Sequence, residues 1–130
     1  MKKLLLFSVV GLLVLVLSAC SSDNTPEGVT TKAIQCIIDK DYQGYIDLMF
    51  FRKEQTDHDK QQLAALVQDK MDKEMEKKQG IKDFHVGKAD IVEDKAVVPY
   101  QVTFGNGEIK EDKMQLLKME DETWMIDSGK

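Results

Sequence analysis

Between residues 25 and 80 apolar positions recur every three to four residues, and from Ile81 onward they recur every second one. The first period belongs to helices with one buried face and the second to half-buried strands. Val29, Ala33, Cys36 and Ile37, widened by Ile34 and Ile38, predict a helix opened by Thr25 as N-cap and Pro26 at its first position. Asp39-Lys40-Asp41 breaks it. Asp41 then caps a shorter helix with Tyr42, Tyr45, Ile46 and Met49 on one face. Residues 52–58 are polar and read as a loop. A long third helix begins at Thr56 or Asp57, with Leu63, Leu66, Val67, Met71 and Met75 as its stripe. Lys77 and Lys78 in the last turn and Gly80 after it are the expected stop signals.

In the second half Phe84 and Val86 alternate, Gly87 predicts a bulge, and Ala89 and Ile91 resume the pattern. Glu93-Asp94 turns the chain into a strand carrying Ala96, Val98, Tyr100, Val102 and Phe104. Pro99, on its opposite face, lacks an N–H and implies an edge or a bulge. Asn106-Gly107 predicts a two-residue hairpin loop, and Asp121-Glu122 a second one. That register pairs Phe104 with Ile109, Ala96 with Leu117 and Leu117 with Ile126. Leu117, Met119, Trp124 and Ile126 would then share the core face. Glu111, Lys113 and Gln115 would share it too unless a bulge turns them outward, which is the expectation. Val97, Met114, Leu116 and Met125 would form an apolar outer face suited to a homodimer. The fold class is α+β: N-terminal helices on the concave face of a curved four-stranded antiparallel meander.

Ahead of all this, Met1-Lys2-Lys3 precedes an apolar run over residues 4–19. Sixteen residues of helix span roughly 24 Å, short of a hydrocarbon core of about 30 Å. The run ends in Leu17-Ser18-Ala19-Cys20, which matches the lipobox of bacterial lipoproteins. The implied chemistry is diacylglycerol on the Cys20 sulfur and cleavage before it, with Leu17, Ser18 and Ala19 read by the signal peptidase. The expected organisation is a signal peptide (1–19), a lipidated tether (20–25) and a single domain (26–130). The expected location is the bacterial cell envelope, outside the cytoplasm and lipid-anchored to a membrane.

Charge sharpens this picture. Without Lys2 and Lys3 the mature chain carries 16 basic against 23 acidic residues, a net charge of −7. That excludes a nucleic-acid binder and electrostatic docking on anionic lipid, so the acyl chains must supply the anchor. With Cys20 acylated, Cys36 has no disulfide partner; it falls on an apolar helix side and reads as a small buried hydrophobe.

The chemical candidates are few. Asp39-x-Asp41-x-Gln43-Gly44 mimics the start of an EF-hand loop, but position twelve would be Phe50 where a bidentate Glu is required. Asp57-His58-Asp59 reads as a helix cap rather than a metal site. His85, Asp90 and Asp127 lie in strand regions as candidates for a pocket acid or base. Tyr42, Tyr45, Tyr100, Phe104 and Trp124 are the candidate lining of an apolar pocket. No Walker loop, dinucleotide fingerprint or nucleophile elbow occurs, and no catalytic residues, metal or cofactor are assigned.

The helices-then-meander order, T-P-E-G-V at 25–29, D-K-D-Y-Q-G-Y-I-D-L at 39–48 and L-L-K-M-E-D-E-T-W-M-I at 116–126 resemble a known group. It comprises small bacterial lipoproteins with a domain of unknown function, some labelled lumazine-binding-like, in the nuclear transport factor 2-like, cystatin-like superfamily. The resemblance implies a cone-shaped sheet around helices, often with an apolar pocket. Some superfamily members, such as ketosteroid isomerase and scytalone dehydratase, are enzymes, and many only bind. No catalytic set matches here, so the expectation is a non-enzymatic domain that binds a small apolar ligand or an envelope protein. The alternatives are an isomerase- or dehydratase-like enzyme, or an assembly module dimerising through the outer sheet face.

Overall fold

A computed structural model describes residues 24–129. The order of elements is α1 (Pro26–Ile38), α2 (Tyr42–Asp47), β1 (Met49–Phe50), α3 (Asp57–Lys78), β2 (Ile81–Val86), β3 (Asp90–Val92), β4 (Lys95–Phe104), β5 (Ile109–Lys118) and β6 (Trp124–Asp127). The lipobox residues Leu17, Ser18, Ala19 and Cys20 lie outside the described residues.

The helices begin where their caps dictate. The Thr25 hydroxyl accepts from the Gly28 N–H at 3.0 Å, and an Asp41 carboxylate oxygen accepts from Gly44 N–H at 3.0 Å. Thr56 and Asp59 form a reciprocal capping box at the start of α3. Gln79, at φ 64, holds the first left-handed position after α3, ahead of Gly80.

The sheet runs β1-β6-β5-β4-β2, with β3 also paired to β4. Three of its features depart from the four-stranded meander. The first predicted strand is broken in two where Gly87 N–H donates to the Pro99 carbonyl at 2.8 Å, so the bulge sits opposite the proline of a central strand. The two-residue β1 pairs in parallel with β6, Met49 opposite Ile126, which makes the sheet mixed. Met49 therefore belongs to a strand, not to the end of α2.

The third departure is in register. Both hairpins use three-residue loops, Gly105–Gly107 and Glu120–Glu122. Their N–H bonds run from Gly107 to Phe104 O and from Glu122 to Met119 O, each at 2.9 Å. The third loop residue is left-handed in both, Gly107 at φ 93 and Glu122 at φ 69, as in a type I turn closed by a bulge. Each strand thus shifts by one residue from the two-residue expectation, and a one-residue shift exchanges the two faces. Ala96 pairs with Leu116, Leu116 with Ile126, and Thr103 with Ile109. Leu116, not Leu117, is the core residue at 1% exposure. Glu111, Lys113 and Gln115 face outward with no bulge in β5, and Lys110 and Asp112 take the concave side. The apolar outer face accordingly loses Met114 and Leu116, keeps Val97 and Met125, and gains Leu117.

The core lies between α1 and the concave sheet. Val29 and Ala33 pack with Ala96, Val98, Leu116, Trp124 and Ile126. Cys36, also on α1, is buried, and burial pushes its thiol above the usual range. By contrast, none of the 22 residues of α3 is buried. The helix packs mainly on α2 and stands off the sheet.

Candidate functional site

The gap left by α3 is a cavity of about 770 Å³, inside the range of small-molecule sites. Its walls follow from the periods of the chain. α1 turns Ala33, Ile34 and Ile37 toward it, one step round the helix from the core-facing Val29. α3 contributes Met71 and Met75 from its apolar stripe. The inward residues of the sheet supply Ile81, Val102, Phe104 and Met114. Methionines on two walls give an adaptable apolar surface. Tyr45 and Tyr100 add phenols, and the exposed Lys70, Glu74, Glu108 and Lys110 mark the rim.

One end of the cavity is closed by a clamp. Gly105 N–H donates to Gly80 O at 2.8 Å and Asn106 N–H to Lys78 O at 3.0 Å, fastening the β4–β5 hairpin to the end of α3. Lys78 Nζ stands 2.6 Å from Glu108, 3.7 Å from Glu74 and 5.1 Å from the centroid of the Phe104 ring. The hydrogen bond with Glu108 raises the Lys78 ammonium and lowers the Glu108 carboxyl, so both stay charged at neutral pH. The carboxylates at the cavity, Glu74 and Glu108, are thus neighbours of one ammonium.

Of the aromatic candidates, Tyr45, Tyr100 and Phe104 line this cavity together. Tyr42 and Trp124 do not. Tyr42 is buried beside α3, where its hydroxyl donates to Asp72 at 3.4 Å, and Trp124 is a core residue with Lys118 above its ring. The sequence pattern could not separate them, because core and cavity wall share one face of the sheet. Ile34, Met71 and Met75, expected only as helix stripe, and Met114, expected on the outer face, also line the cavity. The signal for Met71 and Met75 was a helix charged over most of its surface, whose apolar stripe is too narrow to seat it flat on the sheet.

The acid–base candidates lie elsewhere. His85 pairs with Gln101 on the outer sheet face, in a shallow depression with Pro99, Glu111 and Lys113. Asp90 is exposed on β3. Asp127 accepts from Arg52 at 2.9 Å, which holds its carboxyl below the usual range. His58 is exposed in the first turn of α3, where Asp57 and Asp59 also lie. Among the described residues no three or more His, Cys, Asp or Glu are grouped to hold a metal, and no helix is long and apolar enough to cross a membrane.

A curved mixed sheet wrapped on helices with a cavity between them defines a nuclear transport factor 2-like cone. The fold is similar to that of a crystallised Campylobacter jejuni protein provisionally described as an NTF2-like transpeptidase. The two share 17% identity and a TM-score of 0.63, over 79% of this chain and 97% of that one. Residues 18–127 match a family signature, and the chain belongs to that family, the domain of unknown function DUF4878. Among curated proteins none has significant similarity to it.

Proposed function

We propose that this protein is a membrane-anchored bacterial lipoprotein whose cone binds a small apolar ligand without transforming it. The observation that carries the reading is the cavity of about 770 Å³ with an aliphatic and thioether lining. Surface of that kind left open costs about 25 cal/mol per Å² of apolar area, and a fitting ligand recovers it. The binding reading is further supported by the position of His85, Asp90 and Asp127, none of which lines the cavity. The anchor reading rests on Leu17-Ser18-Ala19-Cys20 after an apolar run, and on a mature charge of −7 that leaves attachment to lipid.

Two experiments test it. Bacteria expressing the full chain are fed a clickable palmitate analogue: the wild type labels and Cys20→Ala does not. Binding of the neutral dye N-phenyl-1-naphthylamine is then measured on the full chain in phospholipid nanodiscs, with empty discs subtracted. The wild type binds saturably, and Met75→Trp, which fills the cavity, weakens binding by about tenfold or more, equivalent to about 1.4 kcal/mol. Equal dye binding by both would move the ligand site away from this cavity.

A further inference from the structure

The chain has two asparagines, and their successors differ: Asn24 precedes the β-branched Thr25, whereas Asn106 precedes Gly107. An asparagine cyclises when the backbone nitrogen of the next residue attacks its side-chain carbonyl carbon. A side chain on that next residue shields the nitrogen, and Gly107 has none. It lies at φ 93 on the exposed tip of the β4–β5 hairpin, with open space where a Cβ would stand. The left-handed position that closes the loop thus favours the one residue that leaves the Asn106 amide open to attack.

The folded loop opposes that attack. Gly107 N–H, on the attacking nitrogen, donates to Phe104 O at 2.9 Å, and Asn106 Oδ1 accepts from Glu108 N–H at 2.9 Å. Asn106 N–H donates to Lys78 O at 3.0 Å and Gly105 N–H to Gly80 O at 2.8 Å, so the backbone around the amide is fastened to α3. Cyclisation needs the first two bonds broken and the peptide unit turned, which the second two resist.

We infer that Asn106 is a deamidation site of this chain, gated by the clamp between the hairpin and α3. In the step, Gly107 N bonds to Asn106 Cγ and the Cγ–Nδ2 bond breaks. Nδ2 leaves as ammonia, with the proton that Gly107 gives up. Water then opens the succinimide ring, at one carbonyl to give aspartate and at the other to give isoaspartate. Isoaspartate routes the backbone through Cβ and Cγ, which adds one atom between the Cα of residue 106 and the nitrogen of Gly107. The three-residue loop cannot take up that atom and keep its geometry, so the two N–H bonds to α3 lose their alignment. Modification unfastens the closed end of the cavity, and an open clamp in turn speeds modification. The site stands whether or not the cavity holds a ligand.

The test uses the full chain in nanodiscs and a synthetic peptide of residues 96–110, both incubated in mildly alkaline buffer. Isoaspartate at position 106 is scored with protein isoaspartyl methyltransferase and by fragmentation mass spectrometry. Breaking two hydrogen bonds first should make the folded chain about tenfold slower than the peptide, or more. Gly105→Ala, measured against a peptide of its own sequence, should lose much of that protection. Asn24 is the control within the same chain and should stay intact. For the consequence, chains aged in urea are refolded, and amide exchange at residues 105 and 106 is compared between isoaspartyl and unmodified molecules of one sample. Exchange should be faster there in the isoaspartyl form, with α1 unchanged. Equal rates in the folded chain and the peptide would overturn the gating. Exchange at residues 105 and 106 that isoaspartate leaves unchanged would overturn the release of the hairpin.

Discussion

Gly105 lies directly against the carbonyl of Gln79, so close that a Cβ on residue 105 would overlap that oxygen. The contact joins the tip of the β4–β5 hairpin to the end of α3, beside the hydrogen bonds from Gly105 to Gly80 and from Asn106 to Lys78. Because α3 has no buried residue of its own, this junction and its packing on α2 hold the helix over the cavity. Gly105→Ala should therefore force the hairpin and helix apart and destabilise the domain by about 1–3 kcal/mol. Urea unfolding followed by circular dichroism reads this as a lower midpoint.

The other end of α3 depends on its cap. Thr56→Ala removes the acceptor for Asp59 N–H at 3.0 Å and breaks the reciprocal pair. The expected loss is about 1 kcal/mol. Amide exchange over residues 57–62 should speed up more than exchange in α1, which the core holds. Equal protection in both variants would show that packing on α2 alone maintains the helix.

Acid should weaken the fold in a defined window. Glu108 and Asp127 are held below their ordinary values of 4.5 and 3.8, first by hydrogen bonds from Lys78 and Arg52 respectively. The unfolded chain therefore takes up these protons first as pH falls. The stabilisation is present above the ordinary values and is lost through the lower folded ones. Thermal midpoints should be flat near neutrality and decline as pH falls through about 4.5, where the Glu108 carboxyl of the unfolded chain is half-protonated. Glu108→Gln should flatten the first part of that decline, and added salt should reduce it, since these groups are exposed.

Neighbouring leucines distinguish the two sheet registers. Leu116 sits between Ala96 and Ile126 in the core, and Leu117 sits opposite Met125 on the outer face. Leu116→Ala should cost about 2–5 kcal/mol. Leu117→Ala, on a half-exposed surface, should cost markedly less. The opposite ranking in urea unfolding would restore two-residue hairpin loops.

Much of the fold was legible because it is written locally. Thr25, Pro26, Asp41 and Thr56 mark helix starts by chemistry that acts within three residues. The alternation of Ala96, Val98 and Val102, or of Trp124 and Ile126, assigns an inner face without reference to a partner. Register was not legible from Asn106-Gly107, since the same dipeptide serves a loop that starts one residue earlier, at Gly105. The Asp121-Glu122 turn was misread in the same way, so two errors agreed with each other on Leu117. The misfit was visible in the sequence: the two-residue loops placed Glu111, Lys113 and Gln115 inside. β1 had no local signal, because two residues become a strand only through their pairing with β6. The cavity divides the aromatic residues by how far α3 stands from the sheet, and that spacing depends on long-range contacts, such as Gly105 against Gln79 and α3 on α2, that no local pattern announces.

Photolabelling tests the central claim most directly, that the space between α3 and the sheet is the ligand site. Benzophenone is irradiated with the full chain in nanodiscs, and the modified residues are located by mass spectrometry. The account predicts label on cavity residues, chiefly Ile34, Met71, Met75 and Met114, and its loss in Met75→Trp. Label concentrated instead on the outer sheet face, around Val97, Leu117 and Met125, would contradict it and make that face the binding surface.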